Sequence, residues 1–63
     1  MEAWKEKIAG NWNILKGKVK QQYANLTDDD LKYVEGKEDE LIGRIQKTSG
    51  KTKEQIIEWI DKL

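Results

Sequence analysis

Trp4, Ile8, Trp12, Leu15, Val19, Tyr23 and Leu26 follow one another at spacings of three and four residues. At the α-helical rotation per residue all seven fall on one stripe of about 100°, so the pattern predicts a single amphipathic helix over residues 3–24. Ile14 is the only large apolar residue of that stretch off the stripe. A straight helix of this length would run roughly 33 Å, longer than a compact domain of so few residues is wide. A bend is therefore expected. Gly10-Asn11 is the predicted place, because glycine weakens a helix and asparagine can cap its restart.

The rest of the chain reads as shorter helices separated by punctuation. Thr27-Asp28-Asp29-Asp30 offers a threonine N-cap with an acid three residues on, so a short helix is expected through Leu31 and Val34, closed by Gly36. A third helix is expected from Glu38 to Thr48, with Leu41, Ile42 and Ile45 inward, a Glu40 to Arg44 ion pair and Gly50 as its stop. Thr52-Lys53-Glu54-Gln55 is a capping box opening a fourth, whose Ile56, Ile57, Trp59, Ile60 and Leu63 share a buried arc of about 160°. No strand alternation occurs and there is no proline. The expected architecture is all-α, a small four-helix domain occupying residues 1–63, with Trp12, Leu15, Val19, Leu41, Ile45, Ile56 and Ile60 in its core.

With 63 residues a single small domain is expected, and without cysteine no disulfide reinforces its small core. The three tryptophans are accordingly read as core anchors. The absence of both His and Cys removes the usual zinc sites, histidine triads and thiol nucleophiles. Gly50-Lys51-Thr52 imitates the end of a phosphate-binding loop, but the first glycine of that motif would fall on Ile45 and no strand precedes it. The acidic run starting at Asp28 fails as a calcium loop, with Tyr33 at the turn-glycine position and Asp39 where a bidentate glutamate belongs. No catalytic residue, metal ligand or cofactor site is assigned, and no enzyme is expected. Apolar runs never exceed two residues, so no membrane span is expected. The acids in Met1-Glu2-Ala3-Trp4-Lys5-Glu6 and its lack of an apolar run argue against an export or mitochondrial signal, and a cytoplasmic location is the expectation.

Twelve basic and twelve acidic residues cancel overall, but not locally. Residues 1–26 carry a net +3, residues 27–46 a net −4 and the remainder +1. The lysines of the first helix flank both sides of its apolar stripe, the ordinary arrangement of long stems shielding a core edge. Lys16, Lys18 and Lys20 are also the candidate surface for weak nucleic-acid or anionic-surface binding. No arginine stands among them and no aromatic residue lies clearly off the stripe, which leaves base readout and base stacking little support. Asp28, Asp29 and Asp30, within an acidic 28–40 surface, are the candidate contact for a protein partner.

The runs Gly10-Asn11-Trp12, Lys16-Gly17-Lys18-Val19-Lys20, Leu26-Thr27-Asp28-Asp29-Asp30, Glu35-Gly36-Lys37 and Asp39-Glu40-Leu41-Ile42-Gly43-Arg44-Ile45-Gln46 together resemble the CsbD-like family of small bacterial proteins. The resemblance spans roughly residues 10–50, and Arg44 stands where the family typically has lysine. It implies a compact fold of two crossed helical hairpins and a place among bacterial general stress proteins, with no reaction, cofactor or named partner. Gly17 and Gly43 belong to these motifs and lie off the apolar stripes, where each weakens its helix by about 1 kcal/mol relative to alanine. Close helix crossing, or a binding surface that needs bare backbone, would offset that loss.

Overall fold

A computed structural model describes residues 2–63. It contains α1 (Ala3–Gln22), α2 (Glu38–Ser49) and α3 (Lys53–Asp61), each touching the other two, within an envelope of 28 × 20 × 19 Å. The helix expected over residues 3–24 is broken where the sequence called for it. Asn11 leaves helical geometry at φ −139°, ψ 29°, and the two halves of α1 lie against one core through Trp4 and Ile8 on one side of the break and Leu15 and Val19 on the other. A straight rod would have held only one of these pairs against so small a core.

The caps of α2 and α3 follow the sequence closely. Gly50 sits at φ 75° and donates its N–H to the Gln46 carbonyl at 2.9 Å, closing α2 in the left-handed conformation that glycine adopts without strain. The Gln55 N–H donates to Thr52 Oγ1 at 3.1 Å while the Thr52 N–H donates to Gln55 Oε1 at 3.0 Å, so the expected capping box opens α3. The glycine and threonine that imitate a phosphate loop are thus the two caps of a tight interhelical turn.

The expected four-helix domain of crossed hairpins is not what forms. Among the described residues there are three helices, and residues 27–36 make turns. The predicted start is present: the Asp30 N–H donates to Thr27 Oγ1 at 3.3 Å, and the Asp30 carboxylate accepts the Thr27 N–H at 3.1 Å. Propagation fails because remote side chains take the carbonyls that a helix would use. Arg44 Nε reaches the Asp30 carbonyl at 3.4 Å, Trp12 Nε1 donates to the Leu31 carbonyl at 3.0 Å, and Arg44 Nη2 donates to the Lys32 carbonyl. The Gly36 N–H, which a helix would direct to Lys32, donates instead to Glu38 Oε2 at 2.8 Å. Leu31 is fully buried while Val34 is 52% exposed, so no apolar face three residues apart rewards the extra turn.

The core holds Leu15, Val19, Leu41, Ile45, Ile56 and Ile60 as expected, together with Trp4, Ile8, Leu26, Leu31 and Ile42. Trp12, expected inside, is only half-buried at its edge, because the indole N–H is turned to the Leu31 carbonyl. Trp59 is likewise half-buried, packed edge-on against Tyr23 with ring centroids 5.7 Å apart. Ile57 is partly buried, and Leu63 lies outside the core at 40% exposure. Close helix crossing does not explain Gly17 or Gly43, since a Cβ at either would meet nothing within 4 Å.

Candidate functional site

The break in α1 does more than fit the helix to its core. Beside it lies a surface cleft of about 530 Å³ between Ala9–Ile14 and Tyr33. Gly10 leaves one wall without a side chain, and Trp12 and Tyr33, 6.1 Å apart and tilted by 59°, form the aromatic side. Asn11 and Asn13 supply amide donors and acceptors, and Ile14 stands on the rim at 64% exposure.

The aromatic side is fixed from beneath. Trp12 is anchored by its bond to the Leu31 carbonyl, and the Tyr33 hydroxyl donates to Glu38 Oε2 at 2.8 Å. Glu38 opens α2, is only 5% exposed and accepts from both Tyr33 and the Gly36 N–H, so the buried carboxylate is hydrogen-bonded as a buried charge must be. Burial and the adjoining Glu38 carboxylate push the Tyr33 hydroxyl above its ordinary pKa, further from a range in which it could lose its proton. The cleft lining therefore offers apolar contact and neutral hydrogen bonds, with no carboxylate, amine or thiol in it.

The residues singled out from the sequence lie elsewhere, and most are already paired. Lys20 and Lys16 converge on Asp28 Oδ1 at 2.8 and 3.8 Å, and the Lys20 contact foremost, then the charge of Lys16, holds Asp28 below the ordinary aspartate range. Asp30 is lowered chiefly by the Thr27 N–H it accepts. Lys18 and Asp29 have no ion pair among the described residues. The structure thus brings together Lys16, Lys20 and Asp28, and leaves Lys18 and Asp29 outside that cluster.

The same pairing runs through the rest of the surface. Asp39 is bridged by Lys5 at 3.4 Å and Lys53 at 3.6 Å, and Glu40 by Lys37 at 3.8 Å and the expected partner Arg44 at 3.9 Å. Lys7 Nζ reaches the Ile60 carbonyl at 3.3 Å and also contacts those of Asp61 and Leu63, a cation placed where the α3 dipole is negative. The basic first helix and the acidic middle meet as an internally complementary surface. The cleft itself was written in two places in the sequence, the break at Gly10-Asn11 and the off-stripe Ile14. Nothing in the spacing connected them to Tyr33.

Residues 6–58 match the family described as CsbD-like. The chain belongs to the CsbD-like family. It is 46% identical to the UPF0337 protein YjbJ of Escherichia coli over 59 residues, covering 87% of this chain and 86% of that one. A UPF0337 protein of Pectobacterium atrosepticum is 48% identical over 61 residues, covering 90% and 88%. One of Protochlamydia amoebophila is 40% identical over 58 residues, again covering 90% and 88%. No solved structure matches the chain. The CsbD-like match takes in the break, the turns of residues 27–36 and all of α2, so the cleft lies wholly within it. No helix among the described residues is long and apolar enough to cross a membrane, and no group of three or more acids there is arranged to hold a metal.

Proposed function

We propose that this CsbD-like chain is a non-enzymatic general stress-response protein of the cytoplasm that works by docking a partner at the break in α1. The observation that carries the docking reading is the cleft lining, which joins aromatic and amide groups with no side chain placed to exchange a proton near neutrality. The stress-response assignment rests on the family resemblance. Lysine-mediated nucleic-acid binding loses support because two of its three cations, Lys16 and Lys20, are held by Asp28. An acidic docking surface is weakened in the same way, since Asp28, Asp39 and Glu40 each face a cation.

The test is growth of a deletion strain under oxidative, osmotic, heat and starvation stress, with complementation by the wild-type gene and by Ile14→Asp, whose site is exposed enough to leave the fold intact. Wild-type rescue with failure of the variant is the expected result. Normal growth of the deletion strain under every stress would remove the stress role, and full rescue by Ile14→Asp would remove the cleft from it. Binding to duplex DNA at low salt, with a salt slope falling by about one for each lysine removed, would favour the nucleic-acid reading instead.

A further inference from the structure

We infer that the cleft at the break in α1 receives an arginine side chain of a partner protein, its guanidinium lying against Trp12 and Tyr33 and its N–H groups donating to the Asn11 and Asn13 amide oxygens. This rests on the reading of the cleft as a docking site and names the group that fills it.

The charge that calls for a cation lies behind the aromatic side. Glu38 is only 5% exposed and, among the described residues, takes part in no ion pair. Its carboxylate is met by the Tyr33 hydroxyl, the Gly36 N–H and the positive end of the α2 dipole, none of which carries a full positive charge. Glu35 is unpaired in the same sense, and its charge also bears on the Tyr33 hydroxyl. Elsewhere in the acidic stretch Asp28, Asp39 and Glu40 each face a cation. Negative potential that the chain leaves uncancelled therefore gathers around one ring of the cleft, whose own face is negative as well.

The two rings are free to take a cation. Lys5 Nζ stands 5.5 Å from the centre of the Trp4 ring, whereas no cation of the chain stands over Trp12 or Tyr33 among the described residues. With ring centroids 6.1 Å apart, a single cation can lie within about 6 Å of both. The indole N–H is spent on the Leu31 carbonyl and the Tyr33 hydroxyl on Glu38, so the rings offer a ligand their carbon surfaces. A guanidinium suits such surfaces better than an ammonium, because it is planar, weakly hydrated and carries N–H donors for the amide oxygens beside them. Ile14, on the rim, is placed to cover the aliphatic stem of the incoming side chain.

NMR titration of the isotope-labelled full chain with Nα-acetyl-arginine methylamide, to about 20 mM at low salt, reads the site directly. Saturable shifts are expected at the Trp12 indole N–H and at the Asn11 and Asn13 side-chain amides. The neutral citrulline analogue should bind about tenfold more weakly and the lysine analogue about threefold more weakly. Glu38→Gln, and Glu35→Gln at an exposed site, should each lower arginine affinity about threefold and leave citrulline affinity unchanged. A packing defect would weaken both analogues alike. The inference is overturned by an absence of saturable shifts at Trp12, by a citrulline or lysine analogue that binds as tightly as arginine, or by charge variants that weaken arginine and citrulline equally. Paired with complementation, the outcomes separate. No arginine binding, with Ile14→Asp still failing to rescue, would sink the guanidinium and leave the docking role standing. Arginine binding as described, with full rescue by Ile14→Asp, would keep the guanidinium site and remove it from the stress role.

Discussion

Residues 50–52 and residues 23–37 both join two helices, and different kinds of contact hold them. The short turn is closed by bonds between near neighbours: Gly50 to Gln46, and Thr52 to Gln55 in both directions. The long stretch is held from a distance. Trp12 comes from α1, Arg44 and Glu38 come from α2, and between them they take the Asp30, Leu31 and Lys32 carbonyls and the Gly36 N–H. A turn made of local bonds forms wherever its residues occur, whereas a stretch made of borrowed bonds exists only once the helices around it are in place.

That contrast is sharpest at Leu31, which is fully buried within the long stretch. Leu31→Ala should cost about 2–5 kcal/mol, because it leaves a cavity in a core of eleven side chains. Urea denaturation measures it, and a loss below 1 kcal/mol would mean that the stretch is an ornament on a self-sufficient helical frame. Glu38→Gln comes next. Both bonds end on Oε2, so the amide oxygen can keep their geometry but only as an uncharged, weaker acceptor, and about 1 kcal/mol should be lost, with faster hydrogen exchange at the Gly36 amide while the α2–α3 turn stays protected.

Thr52→Ala tests the local side. Loss of its cap should cost about 1 kcal/mol and leave the Gly36 amide as slow to exchange as before. Gly43→Ala should act with the opposite sign, raising stability by about 1 kcal/mol, because the helical penalty of glycine is relieved and the added methyl meets nothing. A destabilised Gly43→Ala protein would show that bare backbone there is needed for something the monomer does not display.

The smallest effect is electrostatic. Asp28 has its pKa lowered in the folded chain by Lys20 and then Lys16, so its contribution to stability is present above the ordinary aspartate pKa and is lost as pH falls through the lower folded value. The carboxylate is fully solvated, so the drop should be slight. Denaturation midpoints followed downward from pH 5 should fall less steeply in Asp28→Asn than in the wild type.

The legibility of this chain followed the reach of its bonds. The break at Gly10-Asn11, the Gly50 stop and the Thr52 box were readable because each depends on residues within a turn of one another. The helix expected through Leu31 and Val34 had an equally good local start at Thr27. It was overridden by Arg44 and Trp12, whose approach to its carbonyls no local pattern reveals. Trp12 was misplaced for the same reason: its stripe position is correct, but the partner of its N–H lies across the fold. The lysine and acidic runs were visible as charges, and only the folded chain showed that Lys16, Lys20 and Asp28 answer one another.

The break at Asn11 also bears on the order of events as the chain folds. It divides α1 into Ala3–Gly10 and Trp12–Gln22, eight and eleven residues, each below the roughly 12–15 at which a helix persists alone in water. Neither half can wait, ready-made, for the rest of the molecule. By the same measure α2 and α3, at 12 and nine residues, are no better placed to persist alone, so the helices have to form together, each on the apolar surface that the others supply.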